Sequence, residues 1–277
     1  MCAICGCSGD HVHDHQHQHD ADHAHDHAHD HGHAHEHPHA HVQPHIHAQP
    51  QALQVRTLTL EADILAKNNA LAERNRGWFA GRSVLALNLV SSPGSGKTTL
   101  LERTIRDTGS ELNISVLGGD QETQNDAARI AATGCKVLQI NTGTGCHLDA
   151  EMVGRGLRTL DPPMNSVLMI ENVGNLVCPA LFDLGELAKV AMLSVTEGED
   201  KPAKYPHMFR ASRLMLLTKI DLLPHLDFDV KRCIAYALQV NPRIEVLQLS
   251  AKSGAGMDGW YGWLREQRAL HQQEAAA

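Results

Sequence analysis

The sequence holds no lysine or arginine ahead of Arg56. A secretory leader needs a basic stretch followed by an apolar one, and the opening residues offer neither, so no leader is expected. No apolar run approaches the roughly 18 residues that span a bilayer, and a membrane partner is not expected. Basic residues are in no excess elsewhere. The formal net charge is −8, and seven acids ahead of Arg56 (Asp10, Asp14, Asp20, Asp22, Asp26, Asp30 and Glu36) account for all but −1 of it. A body so close to neutral cannot displace counterions from a phosphate backbone, which argues against nucleic acid as a partner. Cysteine is also scarce after residue 7. Of seven cysteines, an odd number, three crowd into Cys2, Cys5 and Cys7. Such spacing in a chain without a leader reads as metal ligation before disulfides and places the protein in the cytoplasm.

What the first 55 residues do contain is histidine. Seventeen of the 21 lie between His11 and His47. His11, His13, His15, His17 and His19 open the run, His23, His25, His27, His29 and His31 continue it, and His33, His35, His37, His39 and His41 follow, mostly alternating with Asp and Ala. The period of two resembles a strand, but neither face is apolar. A segment that buries nothing cannot offset its ordering entropy, so residues 1–55 are expected to be a disordered, metal-binding tail. Alternating imidazoles supply many weak, fast-exchanging sites, and their ordinary pKa near 6.5 makes binding fade as pH falls through that value.

Behind the tail the pattern changes. LTLEADILAKNNALAERNRGWF, from Leu58, spaces Leu60, Ile64, Leu71 and Ala72 as one amphipathic helix. Short apolar runs then alternate with helical stretches. Strands are predicted at 83–90, 114–119, 136–141, 166–171, 190–196, 213–218 and 244–250. The fold class is α/β, a mainly parallel sheet flanked by helices, with residues 56–277 as one domain.

The first strand runs into SSPGSGKTTLLERT (91–104), a glycine-rich turn opening a helix. This is the context that makes a phosphate-binding loop credible. Gly94 and Gly96 let the backbone approach phosphates, and the segment from Gly94 through Ser95 to Thr99 aims N–H groups at an anion. Lys97 reaches the β- and γ-phosphates and the Thr98 hydroxyl can hold Mg²⁺. Ser91 stands where the usual first glycine would be. Further oxygens for the metal should come from neighbouring strand ends, where ligands of open α/β sheets bind. Two ends carry acids, Asp120 and Glu171, with Asp126 a weaker alternative. Asp120 can also orient an attacking water. Each acid alone could equally be a helix cap.

RLMLLTKIDLLPHL places Thr218-Lys219-Ile220-Asp221 after a strand. One carboxylate can accept from both N1–H and the exocyclic amine of guanine, while adenine would leave Asp221 unpaired. Lys219 can lay its stem on the ring. The next strand ends in Ser250-Ala251-Lys252, similar to the guanine-contacting loop of GTPases. Thr218 replaces the usual Asn of the guanine motif, so selection rests on Asp221 and the bracing of the loop is expected to suffer. GTP is favoured over ATP, and a kinase reading lacks any acceptor pocket.

Cys146 and His147 are adjacent in a glycine-rich loop, and Cys178 follows Glu171 in ENVGNLVCP. Two ligands do not close a site. Cys178 could add a third, or two chains could each supply Cys146 and His147 across a twofold axis. The bland alternative is a buried small cysteine beside a helix-capping histidine. Cys135 and Cys233 read as core.

The motifs CxxCGC at 2–7, SSPGSGKTTLL, GDQETQNDAARI, GCHLDA, ENVGNLVCPA, VTEGEDKPAKYP and LTKIDLLPHL, with the histidine tract, closely resemble the HypB family of nickel–iron hydrogenase maturation GTPases. The resemblance covers essentially the whole chain. It implies a P-loop GTPase of the SIMIBI class that works as a nucleotide-dependent homodimer and hydrolyses GTP slowly. It implies nickel delivery to the hydrogenase large-subunit precursor, in concert with a small zinc protein of the HypA type. Cys2, Cys5 and Cys7 would form a tight nickel site. Cys146 and His147, with Cys178 nearby, would hold nickel, with Zn²⁺ as the alternative occupant. The long histidine tract adds storage. The competing readings are a urease-type nickel GTPase, which lacks these cysteine motifs, and a nickel storage protein in which the GTPase is secondary.

Overall fold

The structure is a computed structural model and describes residues 50–120, 125–143 and 145–276. The thiol cluster at residues 2–7 and the histidine tract lie outside the described residues. Helix α1 (Pro50–Gly81) leads into seven strands: β1 (Leu85–Ser91), β2 (Ile114–Asp120), β3 (Lys136–Asn141), β4 (Val167–Gly174), β5 (Ala188–Ser194), β6 (Ser212–Thr218) and β7 (Glu245–Gln248). They form one sheet in the order β3-β2-β4-β1-β5-β6-β7, and every recorded pairing is parallel. All seven strands fall on the segments expected from their apolar runs. The intervening helices are α2 (Lys97–Leu112), α3 (Asn125–Ala131), α4 (Ala150–Leu160), α5 (Cys178–Leu181), α6 (Lys201–Lys204), α7 (Pro206–Ala211), α8 (Val230–Val240) and α9 (Met257–Ala276).

Both faces of the sheet are covered, and alternation along β1 shows how. Leu85, Leu87 and Leu89 point into a cluster with Leu101 and Ile105 of α2, Ile130 of α3 and Trp260 of α9. Ala86 points to the opposite face, against Phe79 of α1 and Val153 and Leu157 of α4. Val90 shares that second face with Met208 and Phe209 of α7 and Cys233 of α8. A strand buried on both sides must be apolar at nearly every position, which β1 is, apart from Asn88 and Ser91. No helix among the described residues is long and apolar enough to cross a membrane.

The sequence reading of α1 needs correction. It begins at Pro50, inside the segment assigned to the tail, and the stripe it buries is Asn68, Ala72, Asn75 and Phe79, while Ile64 is exposed. Spacings of four, three and four define that face, and two of its four residues are asparagines, so an apolar pattern could not find it. Cys233 is buried as expected, and Cys135 is half-buried against the core.

Candidate functional site

The carboxyl ends of β1, β2, β4 and β6 meet in a cleft of about 590 Å³ lined by residues 93–99, Gly119, Asp120, Asp126, Arg129, Glu171, Asn172 and Lys219. The turn after β1 forms because Gly94 (φ 74°) and Gly96 (φ 97°) take left-handed conformations that a side chain disfavours. Ser91, in the place of the usual glycine, is fully buried and active in the turn. Its hydroxyl donates to the Ser92 carbonyl (2.7 Å) and accepts from Ser95 Oγ (2.6 Å) and Lys97 Nζ (2.7 Å). Lys97 is therefore parked on Ser91 beside the cleft. Burial pulls its pKa down, opposed chiefly by Glu171. Burial pushes the Glu171 carboxyl up, opposed by Lys97 and by a bond from Thr98 Oγ1 at 3.0 Å. The pair thus faces one cavity with each charge desolvated, an arrangement that a polyphosphate and a divalent cation would relieve.

Thr98, Glu171 and Asp120 present only oxygen donors along this wall, and Asp120 ends β2 beside Gly118, which is registered against Glu171 on β4. A hard cation with near-octahedral demands fits such a donor set. Asp126 is drawn away to Arg129 (3.3 Å), which also binds Glu102 (2.6 Å) and reaches Thr99 Oγ1 at 3.3 Å. Arg129 lines the cleft and escaped the sequence reading, because nothing in QNDAARI marks its one cation as a cleft residue.

A second cavity of about 240 Å³ adjoins the first through Ser95, Gly96, Thr99 and Lys219. Its far wall is Asp221, Leu222, Leu249 and the Ser250-Ala251-Lys252 loop. The residues expected to read guanine therefore surround one pocket, with the larger cleft at its mouth. Thr218 does not leave the loop unbraced. Its hydroxyl donates to the Ser95 carbonyl at 2.8 Å, and Lys219 Nζ donates to the Gly94 carbonyl at 2.7 Å. A hydroxyl one bond shorter than an amide spans the gap, so the expected loss of bracing is not observed.

Behind the phosphate cleft the loops after β3 and β4 meet. Cys146, His147 and Cys178 bring their ligand atoms within 4.8 Å of one another. Cys146 Sγ lies 3.1 Å from Cys178 Sγ and 3.6 Å from His147 Nδ1. Cys178 is fully buried at the start of α5, and the imidazole of His147 lies on the Phe182 ring with centroids 3.9 Å apart. Burial holds the His147 imidazole toward its neutral form, against the pull of Asp149. Two thiols and a neutral imidazole suit a borderline or soft divalent ion such as nickel or zinc. The loop after β4 is tied close to the phosphate loop: a side chain at Gly174 would sit 3.0 Å from Pro93 Cα.

The sequence model of the CobW/HypB/UreG nucleotide-binding domain matches residues 85–248. The chain is 62% identical over 215 residues to the hydrogenase maturation factor HypB of Escherichia coli (strain K12), covering 78% of this chain and 74% of that protein. Among solved structures it is similar to the hydrogenase maturation factor HypB of Archaeoglobus fulgidus, with TM-score 0.69, 40% identity, and coverage of 73% of this chain and 99% of that one. It is also similar to HypB of Helicobacter pylori in complex with nickel, with TM-score 0.69, 33% identity, and coverage of 74% and 96%. A phosphate loop, an adjoining pocket walled by Asp221 and a thiol–imidazole cluster on one sheet end, matched at this identity over this length, make the chain a member of the HypB family of hydrogenase maturation factors.

Proposed function

We propose that the chain hydrolyses GTP to GDP and phosphate and uses that cycle to control nickel held by Cys146, His147 and Cys178, for insertion into a nickel–iron hydrogenase large-subunit precursor in the cytoplasm. The observation that carries this reading is a shared strand end. β4 presents Glu171 and Asn172 to the phosphate cleft, and its continuation carries Cys178. The loop bearing the other two ligands hangs from β2, since Thr142 N donates to the Asp120 carbonyl at 3.0 Å.

On this reading Asp221 selects guanine, with Lys219 and the Ser250-Ala251-Lys252 loop completing the base pocket. Residues 94–99 cradle the phosphates. Lys97 leaves Ser91 for the β- and γ-phosphates, where the anion offsets the burial that disfavours its charged form. Thr98, Asp120 and Glu171 would hold Mg²⁺, which supplies charge neutralisation at the phosphates. Asp120 orients the attacking water. Nickel is the cargo. The tail would gather it, with Cys2, Cys5 and Cys7 holding it tightly, the histidines loosely, and residues 56–277 forming the GTPase domain that receives it. Val177 and Leu181, exposed on either side of buried Cys178, suit docking of a second copy, and a HypA-type zinc protein is the expected partner in delivery.

The test uses full-length protein carrying Cys2→Ser, Cys5→Ser and Cys7→Ser, so that nickel–thiolate absorbance reports the internal cluster. Nickel is titrated against a competing chelator in GDP and in a non-hydrolysable GTP analogue, while mass is followed by light scattering. A difference in affinity of about fivefold or more, lost in Cys146→Ala, is expected. No difference in affinity or mass would turn the assignment toward nickel storage.

A further inference from the structure

The loop carrying Cys146 and His147 is held by three buried asparagines from two separate elements. From β4, Asn172 Oδ1 accepts the N–H of Leu148, next to His147, at 3.1 Å, and the N–H of Val173 at 3.0 Å. From α1, Asn68 Oδ1 accepts the N–H of Ala150 at 2.9 Å, and Asn75 Nδ2 donates to the Ala150 carbonyl at 2.8 Å. The two helix asparagines also reach the segment beyond Cys178. Asn68 Nδ2 donates to the Asp183 carbonyl at 2.7 Å, and Asn75 Nδ2 to the Leu184 carbonyl at 3.0 Å. Helix α1 therefore clasps both ligand-bearing segments at once, and Arg76 adds an ion pair to Asp183 at 2.7 Å.

Asn172 differs from the other two in what stands behind it. Its amide cannot flip, because Oδ1 faces two N–H donors while Nδ2 donates to Asn88 Oδ1 at 3.1 Å. Asn88 Nδ2 in turn donates to Glu186 Oε1 at 3.0 Å, and Glu186 is paired with Lys189 at 2.8 Å. Asn88, Asn172 and Glu186 are all buried. Asn172 follows Glu171 directly and lines the phosphate cleft. A shift of this strand end must carry the acceptor with it. Leu148 N–H then follows or is left unpaired in the interior, which is strongly disfavoured.

We infer that Asn172 is a positioning residue that transmits the nucleotide-dependent state of β4 to the metal ligands, with Asn68 and Asn75 of α1 as the fixed abutment. The inference rests on the reading that nucleotide state changes metal affinity, and it names the contact through which that happens. It predicts different consequences for two asparagines that hold the same loop. Loss of the transmitter should change the ratio of affinities between nucleotide states. Loss of the abutment should weaken binding in both states and leave the ratio alone.

The experiment uses the same full-length chain with Ser at positions 2, 5 and 7, Ni²⁺ as the probe, and thermal unfolding to establish that each variant is folded. Asn172→Ala is expected to bring the affinity ratio between the GTP analogue and GDP from about fivefold or more to within about twofold of unity. Asn172→Asp keeps an acceptor for the Leu148 N–H but loses the Nδ2 donor to Asn88 Oδ1, so the ratio is expected to shrink as it does in Asn88→Ala. Asn75→Ala is expected to weaken nickel about tenfold in both states at an unchanged ratio. If Asn172→Ala does not fold, Asn88→Ala decides, since it removes the group that orients the amide, and the ratio should shrink. A folded Asn172→Ala or Asn88→Ala protein with the parent ratio would overturn the inference while leaving the nickel–GTP reading intact. A parent protein with no ratio at all would remove the reading itself.

Discussion

The phosphate cleft and the thiol–imidazole cluster share strand ends but are held by different physics. The cleft is built around one continuous stretch, residues 93–99, whose glycine conformations, together with Lys97 facing Glu171 of β4, aim charge and backbone dipoles at one point. The cluster is made by two stretches 31 and more residues apart, and its geometry depends on neighbours that are not ligands. The first should therefore respond mainly to changes of charge, the second to changes in the groups that carry its loops.

Substitutions that touch only one side of this pair are the sharpest way to break the comparison. Asp221→Asn replaces the acceptor for guanine N1–H and the exocyclic amine, and GTP affinity is expected to fall between roughly 10² and 10⁴-fold, with xanthosine triphosphate gaining. Equilibrium nucleotide competition measures it. Lys97→Ala should lower phosphate release about 10² to 10³-fold while nickel binding without nucleotide stays within about twofold. Cys178→Ala should leave nickel at least 10 to 100-fold weaker at the cluster, read from thiolate absorbance and from loss of the thermal shift on adding nickel. Thr218→Val removes the hydroxyl that braces Ser95. It should cost about 1 kcal/mol or somewhat more in thermal stability, and Thr218→Asn should recover part of it. The smallest effect belongs to a thiol outside both sites. Burial pushes Cys233 up to about 12 from an ordinary 9.0. The unfolded chain loses that proton first, so the contribution is whole below pH 9 and is lost as pH climbs toward 12. Cys233→Ala should show a shallower fall of Tm above pH 9 than the parent.

Much of this was readable in the order of residues. The inner strands lie on apolar runs, because a strand buried on both faces has to be apolar at nearly every position, while the half-buried edge strands β3 and β7 were marked by shorter runs between polar residues. GSGKTT after a strand, and Asp221 and Ser250-Ala251-Lys252 after two others, mark pocket walls by local chemistry alone. Cys146, His147 and Cys178 were nameable, and the fold brings them together. The asparagines were not nameable. Asn68, Asn75 and Asn172 act on backbone groups 24 to 115 residues away, and such bonds leave no periodicity behind. The role of Thr218 was not legible for a related reason: whether a short hydroxyl can brace the loop depends on a distance across the sheet, which only the folded chain sets. Arg129 is likewise set in the cleft by partners on α2.

Both sites open at the carboxyl ends of parallel strands, so the molecule has a working rim and a plain one. Four of the five left-handed non-glycine residues among those described, Ser83, Asn113, Asp161 and Asn165, sit in turns leading toward strands at the plain rim, while the fifth, Lys219, stands at the working rim. The turn from Asp161 to Asn165 is thus the natural handle. A label or surface attachment placed there would leave the nucleotide pocket and the thiol–imidazole cluster facing away from the support together.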